Sequence, residues 1–202
     1  MATSATDTTS HDKLLKAFIH NGWWGKHWEE KVTRAVLSTP FNGDYKVFTK
    51  KENENVHAEE KVLDHLRDLL TTAPEDAVIT LFLSYSPCDD CCPRIKRFLD
   101  EHKDKKLQLH VVFSALYRID RPSFGGRRKN YDQDQDHAKD DNSKNLKALQ
   151  GLYQEMGDNL RPFNDKDWTD LQNVLGITNS EIDKRKKEDR LRQDFETLMA
   201  SH

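Results

Sequence analysis

His57 and Glu59 stand two positions apart, and Cys88 and Cys91 follow as a Cys-x-x-Cys pair; these residue types together can bind a metal and use it. A Cys-x-x-Cys at the opening of a helix puts both thiols on one face of the first turn, where unpaired backbone N–H groups lower thiol pKa values. Two thiolates and the His57 imidazole form a set of one nitrogen and two sulfurs. That set suits tetrahedral zinc and leaves a fourth corner for the water that a catalytic site activates. Glu59 then has the chemistry of a proton shuttle beside that corner. The expected cofactor is one catalytic Zn2+ held by His57, Cys88 and Cys91. Cys92 lies about 100° around the helix from Cys91 and is read as facing the core. Taken alone each motif is ambiguous, since a Cys-x-x-Cys also serves redox pairs and structural zinc sites. The competing reading is a closed structural site with its fourth ligand elsewhere.

Several elements must position these residues. Positions two apart do not share a face within a helix, so His57 and Glu59 converge only at a helix entrance. Val62, Leu66, Leu69 and Leu70 supply that helix, from about His57 to Leu70. Cys91 is followed by Ile95, Phe98 and Leu99 at helical spacing, and Pro93 is acceptable in a first turn. Ala77 to Leu83 and Leu107 to Leu116 are near-continuous apolar runs, as in strands buried on both faces, and the first delivers Ser84 to Cys88 to the metal. Val32 to Leu37 and Tyr45 to Lys50 read as strands joined by a turn at Pro40 to Gly43.

A first helix is expected from His11 to His20, ended by Asn21-Gly22, and another from Leu146 to Met156. A short strand near Leu160 to Phe163 precedes a helix carrying Trp168, Leu171, Val174 and Leu175. Thr178-x-x-Glu181 reads as a capping box opening one last helix, striped by Leu191, Phe195, Leu198 and Met199. Strands alternating with helices predict an α/β fold with a mixed sheet and the site at the strand ends.

The 202 residues suffice for one well-buried core, and the single copy of the metal motif argues for one catalytic domain. The expected organisation is a disordered lead over 1–10, one domain over 11–177 with a long charged loop at 118–143, and a C-terminal helix over 178–202 packing on the domain. Net charge is −3, so bulk attraction to phosphate is absent. Local charge says more. Arg118, Arg121, Arg127, Arg128 and Lys129 form a basic patch suited to phosphates, and Asp132, Asp134, Asp136, Asp140 and Asp141 then reverse the sign. Trp23, Trp24 and Trp28 lie beside Lys26 and His27, an interleaving of aromatic and cationic groups that stacks unpaired bases. Lys184-Arg-Lys-Lys187 reads as a solvated helix face. No run approaches membrane-spanning length, the first ten residues lack a signal peptide's apolar run, and only three cysteines occur. An intracellular protein of cytoplasm or nucleus is expected, with no membrane association and a monomer as the favoured state.

The assembled motifs follow the H-x-E…P-C-x-x-C pattern of zinc nucleobase deaminases, and the likeness extends further. Ser84-Tyr-Ser-Pro-Cys-Asp-Asp-Cys91 resembles the Ser-Trp-Ser-Pro-Cys-x-x-Cys of the AID/APOBEC family of polynucleotide cytidine deaminases, with Tyr85 in place of tryptophan. Phe18-Ile-His-Asn21 and Gly25-Lys-His27 are similar to that family's Phe-x-x-Asn and Gly-Arg-His, and Leu116-Tyr117 matches the Leu-Tyr that opens its base-reading loop. Ala115 stands where arginine is frequent, so the chain looks like a divergent member.

The resemblance implies a three-layer α/β/α fold, with a mixed five-stranded sheet flanked by about six helices. It implies hydrolytic conversion of cytosine to uracil in single-stranded DNA or RNA, with zinc at His57, Cys88 and Cys91 and Glu59 as general acid and base. His27, Asn53, Ala58, Tyr85, Ser86 and Tyr117 are the substrate contacts it implies, with Asn55 the rival to Asn53. Two other readings share the metal motif: a free cytidine or nucleotide deaminase, and a deaminase fold that binds nucleic acid without catalysis.

Overall fold

Alternation along the central strands splits the core into two halves, one on each face of a single sheet. The structure, a computed structural model, describes residues 5–20, 33–40, 45–50, 54–72, 74, 76–124, 135–186 and 190–201. Its strands are β1 (Thr33–Ser38), β2 (Tyr45–Lys50), β3 (Val78–Leu83), β4 (Gln108–Phe113) and β5 (Leu160–Pro162). They form one five-stranded sheet in the order β2-β1-β3-β4-β5. β1 runs antiparallel to β2 and β3, whereas β3, β4 and β5 are parallel. The β-branched and aromatic residues of these strands suit a pleated surface covered on both sides.

Seven α-helices occur among the described residues: α1 (Ala5–His20), α2 (Ala58–Leu70), α3 (Cys91–Glu101), α4 (Gln135–Met156), α5 (Asp165–Leu175), α6 (Glu181–Lys186) and α7 (Arg190–Ala200). Ala35, Leu37, Ile79, Leu81, Leu83, Leu109, Val111 and Phe113 face one way, onto buried residues of α2, α3, α4 and α7. Val36, Phe82 and Val112 face the other way, onto α1, α5 and α6. This is the three-layer arrangement that the resemblance implies. Phe18, Phe82, Phe98 and Phe113 are fully buried, each contributing on the order of 2–3 kcal/mol.

Local chemistry sets the helix ends. In α5 the Asn164 side chain accepts from the Asp167 N–H at 2.9 Å, and the Asp167 carboxylate accepts from the Asn164 N–H at 2.7 Å. Gly176, at φ +65°, closes the same helix in the left-handed conformation that glycine adopts freely.

Several expectations are corrected. α1 begins at Ala5, so helix occupies part of the stretch expected to be a disordered lead; nothing between Ala5 and His20 breaks a helix, there being no proline or glycine. α4 begins at Gln135, which shortens the irregular connection expected over 118–143. Its polar early turns carry no apolar period, and Asp141 and Asn142 instead tie them to the preceding loop: Arg118 pairs with Asp141 at 2.6 Å, and Asp120 N–H donates to Asn142 at 2.8 Å. The expected last helix is described in two parts, α6 and α7, with 187–189 outside the described residues. Asn179, not Thr178, opens α6, accepting from the Glu181 N–H at 2.8 Å. Within the basic run expected to be solvated, Arg185 is buried at 7% exposure and donates to the Ser114 carbonyl at 2.7 Å, anchoring α6 to the end of β4.

Candidate metal centre and pocket

The site sits where β3 and β4 end, on the side from which α2 and α3 start. After Leu83 the chain continues through Ser84 to Cys88, and after Phe113 through Ser114 to Tyr117. These two segments are stitched together. Ser114 Oγ donates to the Ser84 carbonyl at 3.0 Å, Ser86 N–H to the Ala115 carbonyl at 2.7 Å, and Tyr117 N–H to Ser86 Oγ at 3.0 Å. Ser86 therefore holds the segment from Ala115 to Tyr117 in place, its N–H on the Ala115 carbonyl and its hydroxyl on the Tyr117 N–H.

His57 is the N-cap of α2, in extended conformation, and Ala58 and Glu59 are the first two helical residues. This is the entrance geometry that lets residues two apart converge. His57 N–H donates to Glu60 Oε1 at 3.2 Å, and the other oxygen of Glu60 pairs with Arg94 of α3 at 3.0 Å, which links the two helix starts. Against expectation, α3 opens at Cys91, and Cys88 lies before it in a turn. The Cys88 carbonyl accepts from Cys91 N–H at 3.1 Å and Cys92 N–H at 2.9 Å, so the turn still brings the two thiols together.

His57 Nδ1 lies 3.1 Å from Cys91 Sγ and 3.4 Å from Cys88 Sγ. All three donor atoms fall within 4.8 Å of one another. Zinc with its usual bond lengths and tetrahedral angles separates a nitrogen and a sulfur ligand by about 3.5 Å, so this donor set fits the ion. Burial lowers the pKa of His57, which keeps the imidazole neutral as a ligand must be. The two thiols hydrogen-bond to each other, drawing Cys88 below the ordinary thiol range and pushing Cys91 above it. The backbone N–H groups of Cys91 and Asp90 also favour the Cys88 thiolate. A bound dication displaces both protons.

Cys92 belongs to the larger core cluster, as expected. Its thiol is 3.6 Å from the Pro87 carbonyl, and burial pushes its pKa upward.

A cleft of about 290 Å³, open on one side, is lined by Thr33, Lys50, His57, Glu59, Tyr85, Ser86, Cys88 and Tyr117. Glu59 is 4% exposed, and burial raises its carboxyl pKa from 4.5 to about 7. The Tyr85 and Tyr117 rings meet edge to face with centroids 5.8 Å apart. Burial raises both phenol pKa values, so both remain neutral. Arg118, at φ +47°, turns its guanidinium back over the Tyr117 ring at 5.4 Å.

Of the expected site residues, the structure gathers His57, Glu59, Tyr85, Ser86, Cys88 and Tyr117 around this cleft, with Ala58 fully buried at the start of α2. His27, Asn53 and the tryptophans Trp23, Trp24 and Trp28 lie outside the described residues, as do Arg127, Arg128, Lys129, Asp132 and Asp134. Asn55 is exposed and does not line the cleft. Two members of the expected phosphate patch have carboxylate partners instead, Arg118 with Asp141 and Arg121 with Asp194, each at 2.6 Å.

Thr33, Lys50, Asn145 and Asp194 were not singled out as site residues by sequence reasoning. Asn145 accepts from Asp89 N–H at 2.9 Å between the two cysteines. Only strand register brings Thr33 and Lys50 to the cleft, and no local pattern carries that information. No helix among the described residues is long and apolar enough to cross a membrane.

Comparison with known proteins agrees with this geometry. Residues 29–138 match the family model "APOBEC3, cytosine deaminase domain". The mouse (Mus musculus) "DNA dC->dU-editing enzyme APOBEC-3" is 36% identical over 95 residues, which cover 46% of this chain and 21% of that protein. The rat (Rattus norvegicus) APOBEC3 matches to the same extent, 36% over 95 residues, with the same coverage of 46% and 21%. The cat (Felis catus) APOBEC-3Ca is 35% identical over 68 residues, 34% of each chain. The matched part thus spans between about a fifth and a third of the length of these relatives. With the metal motifs inside a family match that covers more than half of its length, this chain belongs to the APOBEC3 cytosine deaminase domain family.

Proposed function

We propose that this chain converts cytosine to uracil in single-stranded DNA by zinc-dependent hydrolytic deamination. The observation that carries the reading is the position of Glu59, a buried carboxyl with a pKa raised to about 7, in one cleft with two of the three clustered metal donors and two tyrosine rings. His57 Nδ1 and the Cys88 and Cys91 thiolates would hold the zinc. Zinc so held lowers the pKa of a water at its open position, which makes that water a nucleophile near neutrality.

Glu59 takes a proton from the water that attacks C4 of cytosine and passes it to N3. It then takes the remaining proton from the new C4 hydroxyl and hands it to the departing amine, so that the C4–N bond breaks, ammonia leaves and the carbonyl of uracil remains. A carboxyl with its pKa near the working pH is suited to both directions of transfer. Tyr85 and Tyr117 wall the slot and stack on or against the base, which must be unpaired to enter. The Ala58 N–H, one of the unpaired donors of a helix's first turn, and the Ser86 carbonyl are proposed contacts to its polar edge. His27 and Asn53 are proposed as further contacts on the resemblance alone. The relatives' names, DNA dC->dU-editing enzymes, favour DNA over RNA. The three cysteines are free thiols, which supports a reducing compartment, cytoplasm or nucleus.

The test is incubation of the zinc-loaded full chain with cytosine in single-stranded DNA, duplex DNA, single-stranded RNA and free cytidine, with uracil quantified by mass spectrometry. Uracil in single-stranded DNA, with little in duplex, is expected. No uracil in any polynucleotide, or faster turnover of free cytidine, would overturn the proposal.

A further inference from the structure

Lys50, the last residue of β2, lines the cleft together with His57, Glu59, Tyr85 and Tyr117. Its register partner is Thr33 at the start of β1, which lines the same cleft. Directly opposed residues of an antiparallel pair project to one face, so strand pairing delivers the lysine to the cleft wall. The adjacent pair is closed on itself, Arg34 Nη1 donating to Thr49 Oγ1 at 3.1 Å.

Among the described residues, three other cations near this end of the fold have carboxylate partners. Arg94 pairs with Glu60 at 3.0 Å, Lys61 with Glu54 at 2.6 Å and Arg118 with Asp141 at 2.6 Å. Lys50 forms no ion pair among the described residues, yet its charge acts on both His57 and Glu59. It thus stands as a cation on a four-carbon stem in the wall of the cleft proposed to take the base, able to reach the rim where the sugar and phosphate of that base must lie.

We propose that Lys50 binds the phosphate adjacent to the target cytidine and makes the cleft select phosphate-bearing substrates over the uncharged nucleoside. This rests on the function proposed above. The ligand is a phosphate monoanion or diester oxygen, from a strand or from a free nucleotide. One ammonium recognises it as a point charge.

The experiment compares zinc-loaded wild type with Lys50→Met, which keeps the stem and removes the charge. The substrates are a cytosine oligonucleotide, the same oligonucleotide with a neutral methylphosphonate on either side of the cytosine, cytidine 5′-monophosphate and cytidine. Lys50→Met is expected to raise KM about fivefold or more with kcat within about twofold, and to flatten the log–log salt dependence of oligonucleotide binding by about 0.7. Wild type is expected to lose the same factor on the methylphosphonate at one side, and Lys50→Met to lose nothing further there, because the two changes remove one contact. Losses that multiply, an unchanged salt slope, or a fall in kcat at constant KM would overturn the proposal. A preference for the monophosphate over cytidine that disappears in Lys50→Met assigns the contact to free nucleotides as well; an effect confined to oligonucleotides assigns it to the strand. If wild type makes no uracil from any substrate, the deaminase reading fails, and the salt slopes of binding still decide the role of Lys50.

Discussion

The backbone N–H of Asp89 donates a 2.9 Å hydrogen bond to the side-chain oxygen of Asn145, which ties the turn between the two metal-site cysteines to α4. Asn145 is 2% exposed, and its residue type has no local reason to stand there. Asn145→Ala removes the acceptor and leaves a half-buried N–H unpaired. The expected outcome is a loss of about 1–2 kcal/mol of stability in urea denaturation. Zinc affinity should fall by about tenfold in chelator competition, as for other groups that orient metal ligands indirectly.

Cys92 and its neighbour Cys91 are adjacent in sequence and separate in role. Cys92→Ala should cost about 1 kcal/mol from lost packing and leave one zinc per chain by elemental analysis. Cys91→Ser should lose most of the zinc. A zinc loss equal in both variants would contradict the assignment of Cys92 to the core.

Asp194 of α7, 3% exposed, accepts from Arg121 Nε at 2.6 Å and from Ser123 N–H and Oγ at 2.7 Å each. The last helix thereby clamps the segment that follows Tyr117. Asp194→Ala leaves Arg121, 12% exposed at its side chain, without this carboxylate, at a cost of about 3 kcal/mol. Chemical denaturation measures the loss, and limited proteolysis should show faster cleavage between Tyr117 and Phe124.

Glu59 opposes stability in the zinc-free protein. Its carboxyl pKa is about 7 in the fold against 4.5 ordinarily, so between those values the folded state binds more protons than the unfolded chain. Zinc-free protein therefore loses stability as pH rises from about 4.5 to 7, by up to about 3 kcal/mol. Glu59→Gln removes the ionisable group. Chelator-treated Glu59→Gln should match wild type near pH 4 and exceed it above pH 7 in urea denaturation. Equal stability at both ends would show that the carboxyl is not penalised by burial.

Much of the site was legible because its signals are local. The spacing of His57 to Glu59 and of Cys88 to Cys91, and the apolar stripe from Val62 to Leu70, fix the metal donors and a helix start over a few residues each. The strands from Val78 to Leu83 and Gln108 to Phe113 were readable because both faces are buried, so that composition alone marks them. What escaped depends on distance along the chain. Lys50 enters the cleft by register with Thr33, Asn145 reaches Asp89 across 56 positions, and Asp194 reaches Arg121 across 73. The early start of α4 was hidden because its first turns are polar and leave no period. Arg185 looked solvated because its neighbours in sequence are basic, whereas the packing of α6 buries it against the end of β4.

In the proposed reaction Glu59 moves protons in a cleft whose metal is held by other residues. The most direct test is single-turnover uracil formation in single-stranded DNA by wild type and Glu59→Gln at matched zinc content. The expected result is one zinc per chain in both proteins and a fall in rate of at least about a hundredfold in the variant. Uracil formed at the wild-type rate by zinc-loaded Glu59→Gln would rule out Glu59 as the proton carrier.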